Sequence, residues 1–142
     1  MMCRDHEDSN PDDGRCIVAI AVDGDALAAS RRARALAASI GFAGNAAELI
    51  ATAVAEIARN IAIHAGRGEI VMAPTEGRFG IQIVALDAGP GIRDVAKAME
   101  DGYSTRGSLG IGLSVARRIM DEFSIESSPA SGTKVTMRKW LP

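Results

Sequence analysis

The apolar residues of this chain change period partway along it. Ile50, Val54, Ile57 and Ile61 recur at intervals of 4, 3 and 4 residues, one face of an α-helix over about 46–64. From Phe79 to Asp87 the period drops to two, so Phe79, Ile81, Ile83, Ala85 and Asp87 share one face of a strand. A long amphipathic helix followed by an alternating strand has few solutions. The helix stripe and the apolar strand face must bury each other, which makes a layer of helix on a layer of sheet.

Punctuation along the rest of the chain extends that layout. The apolar run 16–22 reads as a first strand ending at Asp23-Gly24, with Asp25 as cap of a helix that stops at Gly41. Asn45 is expected to cap the long helix, and Gly66-Arg67-Gly68 to end it. Strands follow at 70–73 and 80–87 around a turn at Thr75-Glu76-Gly77, then a short helix near 94–100, a glycine- and serine-rich loop over 101–110 and a helix to about 122. Strands at 124–127 and 133–140 flank a turn at 129–132. Helices come mostly first and strands pair with near neighbours. The fold class is therefore α+β, a two-layer α/β sandwich with a mixed, mostly antiparallel sheet covered on one face by helices. Strict strand–helix alternation, which a doubly wound parallel sheet needs, is missing.

Size and charge exclude several functions. At 142 residues the chain is expected to form one domain over 16–142 behind a disordered tail over 1–15. Asp5, Glu7, Asp8, Asp12 and Asp13 against Arg4 make the start of the chain acidic, within a formal net charge of −2 for the whole. There is no basic footprint for nucleic acid. No apolar run is long enough to span a bilayer. Cys3 and Cys16 lie outside any metal or disulfide spacing, which fits a reducing, cytoplasmic setting.

Three clusters carry the chemistry. Glu56-x-x-x-Asn60 lies at the edge of the buried helix face, one turn apart. Asn is a poorer helix former than Ala by roughly half a kcal/mol, so its mid-helix place needs a reason. Its amide oxygen is a hard, neutral ligand suited to Mg²⁺, and Glu56 can take a proton from an attacking hydroxyl. Asp87-x-Gly89-x-Gly91 ends the alternating strand, with the carboxylate turned towards the covered face and a side-chain-free turn behind it. A carboxylate there can accept from an adenine amino group. Gly107-x-x-Gly110-x-Gly112, with Ile111 inside it, leads into a helix with Ile111, Val115 and Ile119 on one side. Glycines ahead of a helix let free N–H groups face an anion, and Arg106 stands in the same loop to help hold phosphate. The pattern is neither a Walker A loop nor a GxGxxG fingerprint. Other residues read blandly: His64 has no partner at ligand spacing, Trp140 and Phe123 read as core or edge packing, and Arg117-Arg118 with Asp121-Glu122 as a solvated helix face.

In this order, with Gly132-Thr133 near the end, the clusters resemble the Bergerat-fold (GHKL) ATP-binding superfamily of gyrase, Hsp-type chaperones, histidine kinases and anti-sigma-factor kinases. The stretches Glu56-Ile57-Ala58-Arg59-Asn60, Met99-Glu100-Asp101-Gly102-Tyr103-Ser104-Thr105 and Arg138-Lys139-Trp140-Leu141 are most similar to the small serine/threonine protein kinases of its anti-sigma-factor-kinase branch. The resemblance implies ATP and Mg²⁺ as cofactors, Glu56 as general base, and Asn60 on the metal. It implies Asp87 and Thr133 at the adenine, with Gly89 and Gly91 beside it. Gly107, Gly110, Ile111 and Gly112 would hold the phosphates, under a short lid over 93–110. It further implies phosphorylation of STAS-domain partners of the RsbS or RsbR type, and a PP2C-type phosphatase or other output protein as a second partner. The setting would be partner switching in stress signalling, as in a stressosome. Nucleic acid and membrane are not among the expected partners. A second reading within the same resemblance is an anti-sigma factor of the RsbW or SpoIIAB kind, which sequesters a sigma factor and phosphorylates its antagonist. Glu56 favours the kinase reading, because a Ser or Thr hydroxyl needs a base where a histidine nucleophile does not.

Overall fold

Helix α2 (Gly44–Asn60) is the centre of the helical layer. In the computed structural model, which describes residues 14–22, 24–87, 109–128 and 132–142, it packs most extensively on α1 (Gly24–Ile40) and next on α3 (Leu109–Ile119). Ile50, Val54, Ile57 and Ile61 are all buried, as their spacing predicts, and Ala47, Ala51, Ala53 and Ala58 widen the stripe. These alanines let two helices approach α2 closely, and they carry no side-chain entropy to lose.

Beneath the helices lies a five-stranded sheet in the order β1-β2-β3-β5-β4. Its strands are β1 (Cys16–Ile20), β2 (Gly68–Pro74), β3 (Gly80–Asp87), β4 (Glu122–Ser128) and β5 (Gly132–Trp140). Every pairing among the described strands is antiparallel. Alternation sorts the residues by face. Cys16, Met72, Ile83, Met137 and Phe123 form one cross-strand row towards the helices, and Val18, Ile70, Ala85, Val135 and Ile125 the next. The α+β sandwich is thus the architecture. No helix among the described residues is long and apolar enough to cross a membrane.

Several local expectations are corrected. Asp25 does not cap forward into α1; its Oδ2 reaches back to accept from the N–H groups of Ala21 and Val22, at 2.8 and 3.1 Å. Asn45 does not cap α2 either. Ala43 occupies the cap position, and Asn45 Oδ1 bonds only to the N–H of Ala46. The helix is not α-helical as far as His64, because Ile61–Ala65 widens into a single π-turn, closed by Gly66 in the left-handed region at φ 85°. Phe79 does not share the buried face of β3; it precedes the strand and is 68% exposed. Among the described side chains of α3, Leu113, Ser114 and Ala116 are buried, as is Met120 just beyond it, with Val115 and Ile119 partly buried.

Asp121 and Glu122 lie beyond the end of α3 rather than on its face. Asp121 Oδ2 accepts from the Trp140 N–H, and the Glu122 carboxylate accepts from Arg138 and from the Trp140 indole. Those bonds tie Trp140 to the outer strand, in keeping with its reading as an edge residue. The expected tail over 1–15, apart from residues 14 and 15, and the short helix at 94–100 lie outside the described residues.

Candidate functional site

The third row of the helix-facing sheet surface breaks the apolar pattern. It runs Ile20, Gly68, Asp87, Thr133 and Ser127 across the five strands. Three of those side chains are polar, where the two rows beside them are almost wholly apolar. The strand alternation that buries Ile81, Ile83 and Ala85 also turns Asp87 to this face, as its place in sequence predicts. Asp87 stops half-buried rather than fully enclosed. Its Oδ1 accepts from the Thr133 N–H at 3.3 Å, and the Thr133 hydroxyl is 2.8 Å from that of Ser127.

Gly68 brings the end of α2 onto this row. A Cβ at Gly68 would run into the Leu86 carbonyl oxygen, stand 2.9 Å from Ile61 Cγ2 and 3.1 Å from Asp87 Cβ. With no side chain there, Ile61 settles over the sheet beside Asp87. Asn60 precedes Ile61 directly, so the amide and the carboxylate belong to one end of the sandwich.

Asn60 is the anomalous residue of that end. It is 8% exposed, and neither its Oδ1 nor its Nδ2 has a hydrogen-bond partner among the described residues. An unsatisfied buried polar group costs about 1–3 kcal/mol, and Asn60 holds two of them in a helix interior. It also marks the point where α2 opens into a π-turn, a distortion found often at functional sites. A buried amide oxygen with no protein partner fits a hard cation that keeps water and phosphate as its other ligands.

Glu56 lies one turn earlier with its side chain 26% exposed, and its Oε2 accepts from Arg59 Nη1 at 2.8 Å. Glu56 and Asn60 thus separate in depth: the acid reaches solvent and the amide does not.

The structure places Asp87 and Thr133 side by side on β3 and β5, with Asn60 one residue before Ile61 at the end of α2 and Glu56 a turn earlier along that helix. Gly110 and Gly112 fall inside the first turn of α3 (Leu109–Ile119), not in a loop ahead of it. Gly89, Gly91, Arg106 and Gly107, with the lid as far as residue 108, lie outside the described residues. Three residues of the site escaped sequence reasoning. Ser127 was findable, since a hairpin centred on residue 130 sets it opposite Thr133. Gly68 read only as part of a helix stop, and Arg59 carried no role of its own.

Comparison with known proteins fits this arrangement. The family described as the histidine kinase-like ATPase domain matches residues 20–139. The serine/threonine-protein kinase RsbT of Bacillus subtilis (strain 168) is 44% identical over 126 residues, covering 87% of this chain and 95% of its own. An anti-sigma F factor of Caldanaerobacter subterraneus subsp. tengcongensis is 38% identical over 98 residues, 65% of this chain and 68% of its own. Another, from Thermoanaerobacter sp. (strain X514), is 36% identical over the same shares. The chain belongs to the histidine kinase-like ATPase domain family, and within that ATP-using family it stands with the protein serine/threonine kinases of the RsbT kind.

Proposed function

We propose that this kinase transfers the γ-phosphoryl group of ATP to a Ser or Thr of a STAS-domain protein, and acts as a partner-switching regulator in stress signalling. Asn60 is the observation that carries the reading. Two uncompensated polar atoms in the core have no structural use, and a magnesium nucleotide would satisfy them.

In this reading the adenine lies over the Gly68–Asp87–Thr133 row. Asp87 accepts from the exocyclic amino group, the Thr133 hydroxyl, steadied by Ser127, supports the same ring edge, and Gly89 and Gly91 leave the ring room. Asn60 Oδ1 would hold Mg²⁺, whose charge when bound offsets that of the phosphates. Arg106, Gly107, Gly110, Ile111 and Gly112 line the phosphates. Glu56, partly open to solvent, takes the proton of the incoming hydroxyl, a contribution typically of 10²–10⁴-fold. The hydroxyl oxygen bonds to the γ-phosphorus, and the bond to the β–γ bridging oxygen breaks with its electron pair going to ADP.

The anti-sigma reading shares this pocket, and the anti-sigma F factors among the relatives favour it. The RsbT relative is more similar and spans nearly the whole chain, which favours the STAS kinase. Labelled ATP, the protein, a panel of STAS-domain proteins and a sigma factor separate the two. Transfer of label to a mapped Ser or Thr of an RsbS- or RsbR-like protein, with no sigma factor retained, supports the STAS kinase. A sigma factor retained by the protein, with no binding to those STAS-domain proteins, supports the alternative.

A further inference from the structure

Glu56 is paired on α2 with a cation. Arg59 Nη1 stands 2.8 Å from Glu56 Oε2, one helical turn away, with the two side chains 41% and 26% exposed. An i,i+3 pair this open to water adds little to stability. It bears instead on where the carboxylate sits. A glutamate on a helix surface has three free side-chain torsions, and the Arg59 contact biases them through one carboxylate oxygen. The other oxygen, Oε1, has no hydrogen bond among the described residues, and Arg59 is the sole partner of Glu56 there.

Charge adds a second reason. A carboxylate beside a triphosphate is repelled by it and would swing away when the nucleotide binds. A guanidinium bonded to the same carboxylate offsets that repulsion and keeps the acid in place. Lysine can supply the charge but not the planar fork.

We propose that Arg59 is a positioning residue for phosphotransfer: it holds Oε2 of Glu56 so that Oε1 receives the proton of the substrate hydroxyl. This rests on Glu56 being the general base. The proton moves from the hydroxyl to Oε1, the oxygen bonds to the γ-phosphorus, and ADP departs with the electrons of the broken bond. Arg59 touches neither substrate nor nucleotide and acts only through Glu56.

The test uses the full chain with ATP and an RsbS-like STAS-domain protein as phosphoacceptor. Four variants are compared with the unmodified protein: Arg59→Ala, Arg59→Lys, Glu56→Gln and the double change Arg59→Ala with Glu56→Gln. Arg59→Ala should lower kcat by about 10–100-fold while the KM for acceptor, the ATP affinity and the melting temperature stay within two-fold or about a degree. Arg59→Lys should recover part of the rate. On the Glu56→Gln background the arginine change should cost nothing further, since residues acting as a unit are not additive. A slow Glu56→Gln with Arg59→Ala at the unmodified rate overturns the positioning role and leaves the base intact. A rise confined to KM overturns it too, by making Arg59 an acceptor contact. Full activity of Glu56→Gln, or no transfer by the unmodified protein, removes the base reading and this inference with it.

Discussion

Thr133 donates its backbone N–H to Oδ1 of Asp87 at 3.3 Å, from the position directly opposite it on the β3–β5 ladder. The carboxylate is therefore held by the adjacent strand, not left to swing at a strand end. The same residues that close the sheet fix the orientation of the group expected to read adenine.

Asp87→Asn should weaken ATP binding by about 10–100-fold, the loss of a hydrogen bond to a charged acceptor. Asparagine can keep an oxygen on Thr133 while presenting an NH₂ to another donor. Calorimetric titration with ATP checks this, and unchanged affinity would take Asp87 out of the pocket.

Asn60→Ala should separate stability from function. Removing two unsatisfied polar atoms, and improving helix propensity, outweighs the small cavity left behind. The nucleotide-free protein should gain about 1 kcal/mol, seen as a melting point a few degrees higher. Stabilisation by Mg-ATP should vanish in the same variant. A clear loss of stability without nucleotide would mean that Asn60 has a structural partner after all.

Gly68 and Gly66 offer a matched pair. Gly68→Ala would push a Cβ into the Leu86 carbonyl and against Ile61 and Asp87. It should cost about 1–3 kcal/mol and weaken ATP binding as well. Gly66→Ala meets no atom within 4 Å but sits at φ +85°, so it should cost about 1–2 kcal/mol and leave ATP affinity alone. Urea denaturation with ATP titration of both variants tests whether the Ile61–Gly68–Asp87 contact shapes the pocket.

Much of this was legible in the sequence because it depends on local period. The stripe from Ile50 to Ile61 and the alternation from Ile81 to Asp87 each reflect one buried face, and each held. The misplaced caps at Asp25 and Asn45 have a different origin. Short polar side chains bond backwards or to the next residue as readily as forwards, and sequence does not say which. The depth of each side of α3 has a related origin. Val115 and Ile119 on one side and Leu113 and Ala116 on another are all apolar, and only tertiary packing chooses which is fully buried. The unsatisfied state of Asn60, the need for glycine at 68 and the Arg59 contact are relations between side chains and neighbouring elements, and no single-residue pattern encodes them.

In the proposed Ser/Thr kinase site at this end of the sandwich, Glu56 takes the proton of the acceptor hydroxyl. Single-turnover phosphorylation of a STAS-domain acceptor by Glu56→Ala, alongside ATP titration of the same protein, tests it most directly. Near-normal ATP affinity with transfer slowed by about 10²–10⁴-fold is expected. Transfer at the unmodified rate would contradict it.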